Sequence, residues 1–332
     1  MSDGFNLRLR RPRPSVVACS PTLGALGAVN LMPACFAKED ALEARIARSS
    51  RRRRAVSVLL RWLTYLAAAV TAAVLLFVVG YILVRGVPAL TPDLFQWEYT
   101  SENVSLLPAL ASTVIMALLA LALAVPVGVG AAIYLVEYAR RGSRFVRLVR
   151  VTAETLQGIP SIIYGLFGML FFVTACGWGL SLLSGACTLA IMVLPVIMRT
   201  TEEALMAVPD SYREGGFGLG AGRLRTVARC VLPSAVPGIL GGVILALGRC
   251  VGEVAALLFT AGTVAQIPDF AGQGIFALFD SCRTLAVHMY TLACEGLHVN
   301  EAYATSVVLL ILVLLLNAAM RVVAQKMEVS KK

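Results

Sequence analysis

The sequence has few of the side chains on which catalysis and metal binding depend. Its 332 residues include only two histidines, His288 and His298, and charged residues make up 14% of the chain. The eight cysteines are spread singly, without a C-x-x-C pair or a His/Cys cluster, so we expect neither a metal site nor a redox motif. No Gly-x-Ser-x-Gly motif and no metal-ligand spacing surrounds either histidine, which argues against an enzyme.

Nucleotide-binding motifs are also missing. No Gly-x-x-x-x-Gly-Lys-Ser/Thr sequence occurs, so the chain has no phosphate-binding loop of its own for ATP. The run Gly216-x-Gly218-x-x-Ala221 has the spacing of a dinucleotide fingerprint, but no predicted strand precedes it and no βαβ unit surrounds it. Any energy derived from ATP must therefore be supplied by a partner.

Apolar residues, in contrast, are abundant. They make up 58% of the chain, and the mean hydropathy of +0.81 lies far outside the range of soluble domains. A helix needs roughly 20 apolar residues to cross a bilayer. Runs long enough for this predict six spanning helices, near residues 57–84, 107–135, 152–175, 182–198, 234–264 and 305–321.

The net charge of +10 is concentrated in alternate loops. Arginines cluster at 51–54, 140–150 and 211–233, whereas the loops in between, near 86–106, 176–181 and 265–304, contain only Arg283 among lysines and arginines. This is the positive-inside pattern. It predicts a multi-pass protein with both termini and the 211–233 loop in the cytoplasm, and it does not favour nucleic acid as a partner.

The ends of the chain and the outer loop carry three smaller expectations. Residues 1–54 are Arg-rich and aperiodic, so we expect a disordered basic cytoplasmic extension without a signal peptide; an incorrectly assigned start codon would also explain them. Residues 55–86 are expected to form a first transmembrane anchor. A disulfide between Cys282 and Cys294 is left open by the sequence.

Two opposite charges fall inside the predicted fifth span. Arg249 and Glu253 lie about 22 Å along the helix from its start near Pro233, at 1.5 Å per residue, and a charge at mid-bilayer costs about 2.5 to 3.5 kcal/mol. Their spacing of four places them on one helix face, where they can pair. The sequence leaves two interpretations open: a structural ion pair, or a pathway site at which a passing anion competes with Glu253 for the arginine.

Three further residues are candidates for the substrate pathway. Ser161 and Tyr164 lie in the Gly- and Pro-rich stretch 158–168, which weakens a regular helix and exposes backbone groups that must be satisfied by protein or by a water-filled cavity. Arg199 ends the fourth span. From the residues alone, a packing kink and a pathway lining explain the 158–168 stretch equally well.

The loop 211–233 has a distinctive pattern. Ser211-x-x-Glu214 has capping-box spacing, which predicts a helix that starts at Ser211, and Gly220 is placed to end it. Arg213 is a further polar residue of this segment. The positions of Glu214-Gly215-Gly216, Gly220 and Leu232-Pro233 resemble the "EAA" loop of ABC-importer permeases, although both alanines are glycine here. The resemblance implies a short helix that docks on an ATPase subunit.

Longer stretches resemble one branch of that family. Pro-Ser-Ile-Ile-Tyr-Gly-Leu-Phe-Gly at 160–168, Leu-Pro-Val-Ile-Met-Arg-Thr-Thr-Glu-Glu-Ala-Leu at 194–205 and the Leu-Pro-Ser-Ala-Val-Pro-Gly-Ile-Leu-Gly-Gly entry to the fifth span are similar to the A-type (PstA) permeases of bacterial phosphate ABC importers. One departure is Gly252-Glu253-Val254-Ala255-Ala256, where that family has Gly-Glu-Thr-Ala-Pro.

The resemblance implies an all-α, six-helix type I importer permease (MetI-like) in the bacterial inner membrane. Its permease domain would span 105–325, with the coupling loop at 201–233. The implied partners are a second, PstC-like permease, a PstB-like ATPase dimer that binds ATP and Mg²⁺, and a PstS-like phosphate-binding protein. This chain would itself bind no cofactor. Another oxyanion, sulfate or molybdate, and a secondary transporter remain the alternatives.

Overall fold

Every regular element in the described part of the chain is helical. The structure is a computed structural model that describes the backbone of residues 28–100, 102–140 and 142–329. The α-helices are α1 (Ala28–Gly86), α2 (Leu107–Ile133), α3 (Arg144–Gln157), α4 (Ser161–Gly168), α5 (Leu182–Met206), α6 (Asp210–Gly218), α7 (Arg223–Thr226), α8 (Leu232–Val251), α9 (Ala255–Thr260), α10 (Phe270–Gln273), α11 (Leu285–Glu295) and α12 (Val299–Val329). Single π-helical segments follow α2 at Tyr134–Tyr138, α4 at Met169–Ala175 and α7 at Val227–Val231.

The chain divides into two compact units, residues 1–76 and 77–332. The segment predicted to be disordered is 1–54, and its residues 1–27 lie outside the described part of the chain. From Ala28 the backbone is helical, which differs from that prediction, since the Ala, Leu, Glu, Lys and Arg residues of 37–48 are strong helix formers. The predicted anchor at 55–86 corresponds to a helix long and apolar enough to cross a membrane, Val56–Ala89.

Five helices in the described residues are long and apolar enough to span a bilayer, and a sixth span exists only if a bent pair is counted as one. That pair is Arg144–Gln157 and Ser161–Ala175, which meet at 101°. The second arm alone covers only about 22 Å at 1.5 Å per residue. The predicted third span is therefore strongly bent, because Gly158 and Pro160 interrupt the helical backbone.

Helix α5 lies at the centre of the second unit, where it packs against both α2 and α8. Its fully buried side chains recur at helical spacing, at Leu182, Leu189, Val193 and Ile197. These residues belong to one apolar cluster with small residues of α2 and α8. Close packing of three long helices through alanine and glycine positions is typical of membrane bundles, where small residues let backbones approach.

The segment 265–298 contains the short helices α10 and α11, and α11 packs against α2 and α12. Two basic side chains of this segment are buried, Arg283 and His288. The guanidinium of Arg283 donates to the Thr291 hydroxyl at 3.2 Å and lies 4.8 Å from the centre of the Tyr99 ring. His288 contacts the same ring edge to face.

The disulfide left open by the sequence is not formed. Cys282 is buried and Cys294 is exposed, and both are free thiols.

Candidate functional site

Helix α6 is the centre of the predicted coupling loop. It starts at Asp210 with Pro209 as the N-cap, and no side chain caps it. The predicted capping box of Ser211 and Glu214 is therefore wrong. Pro209 fixes φ at −55° with extended ψ, so the helix begins one residue earlier, and Ser211 already lies inside its first turn.

The other end of α6 follows the prediction. Gly220 adopts φ +77°, the left-handed conformation that glycine takes without strain. Its amide donates to the Phe217 carbonyl at 2.9 Å, and the Ala221 amide donates to the Gly216 carbonyl at 3.1 Å. These two bonds form a Schellman motif, which confirms that Gly220 ends the helix.

Arg213 holds α6 onto the membrane helices. Its side chain is only 15% exposed and donates to the Glu137 carboxylate from Nη2 at 2.7 Å and from Nε at 3.1 Å. It also donates to the carbonyls of Leu205 at 2.9 Å and Val208 at 2.8 Å, and it pairs with Asp210 at 3.2 Å. One guanidinium thus joins the end of α2, the end of α5 and the first turn of α6.

The outer side of α6 is uncovered. Glu214 is exposed and forms no ion pair within the described residues. Around it lie large apolar side chains that are also exposed, among them Tyr212, Phe217, Leu219 and Leu224; Leu219 is 91% exposed. We call Tyr212, Glu214, Phe217, Leu219 and Leu224 the coupling surface. Exposed apolar side chains of this density mark a protein interaction site.

The two glycines after Glu214 have different surroundings. A Cβ at Gly215 would meet no atom within 4 Å, whereas one at Gly216 would lie 2.7 Å from Cγ2 of Thr226 and 2.9 Å from its Oγ1. Gly216 therefore lets α6 pack closely on α7, and Gly215 has no such role.

Leu232 and Pro233 close the loop at the start of α8. Leu232 packs against a buried apolar cluster that includes Leu205, Val231 and Ala235. Pro233 follows the π-helical turn Val227–Val231 and lies in the first turn of α8, a position at which proline is tolerated.

A second candidate region lies at two interruptions of the helical backbone. The first interruption is the bend between α3 and α4, and the second is the break between α8 and α9 at residues 252–254. Helices α4 and α9 pack against each other beside these breaks. Gly165 lies against the backbone of Ala256, where a Cβ would come within 2.8 Å of its Cα. Interrupted helices in a membrane expose backbone groups only where protein or a water-filled cavity satisfies them.

The predicted pairing of Arg249 with Glu253 is wrong. Helix α8 ends at Val251, so the two side chains do not share a helix face. The Glu253 carboxylate instead accepts a hydrogen bond from the Ala256 amide at 3.2 Å, at the start of α9. Arg249 is half-buried in the last turn of α8 and has no hydrogen bond or ion pair within the described residues.

Two of the other predicted pathway residues, Tyr164 and Arg199, have structural partners. Tyr164 is buried, and its hydroxyl donates to the Leu156 carbonyl at 2.8 Å across the α3–α4 bend. Arg199 pairs with Glu203 at 3.1 Å and with Glu154 at 3.4 Å, so its charge is already compensated. Ser161 is the first residue of α4 and is half-buried. Of the predicted pathway charges, Arg249 is thus the cation without an acidic partner.

The family follows from the sequence match across these elements. Residues 124–329, which include α6 and both helix interruptions, match the family described as "Binding-protein-dependent transport system inner membrane component". The chain belongs to this family. It is a permease subunit of an ABC importer.

Two relatives and one solved structure illustrate the similarity. The permease is 36% identical to the probable ABC transporter permease protein YqgI of Bacillus subtilis (strain 168), over 77% of this chain and 90% of that protein. It is 33% identical to the phosphate transport system permease protein PstA of Mycobacterium leprae (strain TN), over 65% of this chain and 71% of that protein.

Among solved structures, a bacterial ABC transporter involved in the import of the acidic polysaccharide alginate superposes on this permease. The TM-score is 0.56 at 16% identity, covering 80% of this chain and 96% of that chain. This similarity supports the type I importer fold.

Sequence reasoning missed several charged residues of the permease. Glu137, the buried partner of Arg213, is a single acid at the end of a long apolar run, and that isolation was its only signal. Arg150 pairs with Glu202, which is also buried. Both pairs join helices that are distant in sequence, so no local pattern identifies the partners.

Proposed function

We propose that this permease is the A-type transmembrane subunit of an ATP-driven phosphate importer. The observation that supports phosphate as the substrate is the 33% identity to PstA of Mycobacterium leprae. The guanidinium of Arg249, at the end of α8, has no acidic partner within the described residues. It supports transport of an anion, because a cation without an acidic partner favours a negatively charged ligand.

The proposed assembly has four further subunits. A second, PstC-like permease completes the translocation pathway, a pair of PstB-like ATPase subunits binds ATP and Mg²⁺, and a PstS-like protein delivers phosphate. Both termini and α6 lie in the cytoplasm in this proposal. The support for this orientation is the concentration of arginines in the loops 140–150 and 211–233.

Coupling is proposed to act through the coupling surface. Leu219 and its apolar neighbours would enter a cleft on the ATPase, and Arg213 would pass the resulting movement to α2 and α5 through its bonds to Glu137 and to the carbonyls of α5. The exposed carboxylate of Glu214 would meet a polar or basic partner there, since it has no ion pair within the described residues.

Reconstitution tests the substrate. Vesicles that contain the permease with its three kinds of partner should take up phosphate when ATP is supplied, and sulfate and molybdate should not compete at equal concentration. ATP-dependent uptake of sulfate or molybdate in preference to phosphate would favour the alternative substrates. Uptake by this chain without any ATPase would favour a secondary transporter.

Exchange of Glu214 tests the docking role. Glu214→Lys should leave the permease inserted and folded, because Glu214 is exposed, while ATP hydrolysis no longer drives uptake. Ser211→Ala is the matched control, since Ser211 is exposed on the same helix and caps nothing. Normal uptake by Glu214→Lys, measured at equal permease content, would refute this role.

A further inference from the structure

A cation-rich cavity lies beside α6. A cavity of about 510 Å³ opens between the end of α2, the turn before α3 and the flank of α6. Its charged lining consists of Glu137, Arg140, Arg150, Asp210, Arg213 and Arg223. The cavity therefore has four cations and two anions in its wall, an excess of positive charge.

The two carboxylates in this wall both form ion pairs with the same arginine. Glu137 and Asp210 each pair with Arg213, and Arg150 pairs with Glu202, which does not line the cavity. Two guanidinium groups remain, those of Arg140 and Arg223, and neither has a carboxylate partner within the described residues.

The surroundings of the two free arginines differ. The guanidinium of Arg223 lies 5.4 Å from the centre of the Tyr138 ring, a cation–π contact that restrains the side chain. Arg140 precedes a tight turn in which Gly142 adopts φ +86° and the Ser143 amide donates to the Arg140 carbonyl at 3.1 Å. Both arginines line the same cavity.

A guanidinium group matches the geometry of a phosphate group. It offers a planar fork of N–H donors that can bind two oxygens of one oxyanion. The cavity has room for such a group with its hydration, since one water occupies about 30 Å³ of liquid volume. A carboxylate ligand would fill less of it and satisfy fewer donors.

We propose that this cavity binds a phosphate group between Arg140 and Arg223, either inorganic phosphate or the headgroup phosphate of an anionic phospholipid. The bound group links the turn before α3 to the segment that follows α6. The site does not include Arg249, and Phe217 is the one residue of the coupling surface that lines it. It does not depend on which anion the importer transports.

Direct binding measurements test this site on the full chain in an uncharged detergent. The Arg249→Gln background is used, so that the pathway arginine does not contribute. One arm measures radiolabelled inorganic phosphate by equilibrium dialysis, and the other measures phosphatidylglycerol by native mass spectrometry, with phosphatidylcholine as the neutral lipid. The variant is Arg140→Gln with Arg223→Gln. The matched control is Arg144→Gln with Arg147→Gln, two exposed arginines that do not line the cavity.

We expect saturable binding of one of the two probes, weakened roughly tenfold or more in the cavity variant because charge-assisted hydrogen bonds are lost, and unchanged in the control. Binding of inorganic phosphate identifies a free anion as the ligand, and binding of phosphatidylglycerol alone identifies a lipid headgroup. The proposal is overturned if neither probe binds saturably, or if the control pair weakens binding as much as the cavity pair.

Discussion

At the scale of single residues, the tertiary surroundings of a residue decide how it affects the stability of the permease. Gly215 and Gly216 are adjacent and identical in type, yet a side chain would fit at the first and collide at the second. His288 is a titratable group that is fully buried. Each leads to a prediction about stability.

The two glycines of α6 should respond to alanine in opposite directions. Gly215→Ala should stabilise the permease by about 1 kcal/mol, since alanine is the better helix former and its Cβ meets open space. Gly216→Ala should destabilise it by about 1 to 3 kcal/mol, as expected for overpacking. Thermal unfolding of the purified permease measures both. Adding Thr226→Ala should restore stability to Gly216→Ala, and failure to do so would exclude the collision with Thr226 as the cause.

His288 should make the permease less stable in acid. Burial and the nearby Arg283 charge lower the pKa of His288 to about 3. Below about pH 6.5 the unfolded chain therefore binds a proton at this histidine that the folded protein does not bind. The free energy of unfolding is unaffected by this group above about pH 6.5, and it falls by up to about 1.4 kcal/mol for each pH unit below that.

The pH dependence is measured by thermal unfolding between pH 7.5 and 5. His288→Phe should flatten it, because a phenyl ring keeps the contact with Tyr99 and cannot titrate. His298→Gln is the control and should keep the wild-type slope. An unchanged slope in His288→Phe would show that other groups cause the acid sensitivity.

At the scale of elements, the central feature is the attachment of α6 to the membrane helices. Three helices meet at the Arg213 guanidinium, and its main acidic partner, Glu137, has a side chain only 7% exposed. A buried ion pair with several additional hydrogen bonds is a rigid joint. In the proposed coupling, movement of α6 would displace the ends of α2 and α5 together.

Removal of one partner should destabilise this joint strongly. Arg213→Met leaves Glu137 buried and unpaired, which should cost about 3 to 5 kcal/mol, whereas Arg213→Met with Glu137→Leu should recover most of that loss. If the joint transmits movement, the stable double variant should still hydrolyse ATP in the assembled importer but lose uptake. Asp210→Asn is the control: its carboxylate is 67% exposed, so its loss should cost at most about 1 kcal/mol. Full uptake by the double variant would contradict transmission through Arg213.

At the scale of the whole molecule, α4, which follows the bend after α3, packs against α9, which follows the end of α8. Arg249, in the last turn of α8, has no acidic partner within the described residues. A continuous α8 would have allowed Arg249 to pair with Glu253. The break at residues 252–254 instead directs Glu253 to the start of α9, which leaves the positive charge available to an anion.

Transport should therefore depend on Arg249 far more than on Glu253. Arg249→Gln should abolish phosphate uptake while the assembled importer is still recovered, because the charge is needed only when the anion passes. Glu253→Gln should retain most uptake, since the amide oxygen of glutamine can still accept from the Ala256 amide. Equal loss in both variants would restore the ion-pair interpretation, and normal uptake by Arg249→Gln would exclude Arg249 from the pathway.

The sequence by itself determined the properties that follow from local pattern and composition. The apolar runs indicated the spanning helices, Gly220 indicated the end of α6 because only glycine adopts its conformation without strain, and the spacing of 211–233 identified the family. These features need no knowledge of distant contacts, since the bilayer and the backbone impose them on each segment separately.

Only the tertiary structure decided which charges pair. Arg213 meets Glu137 and Arg199 meets Glu154 across large separations in sequence, while Arg249 and Glu253, which the spacing of four predicted as partners, are separated by the end of α8. Helix packing brings the first two pairs together, and the close approach of α4 and α9 accompanies the break that separates the third. Such contacts depend on how complete helices fit against one another, and that information is not contained in any single segment.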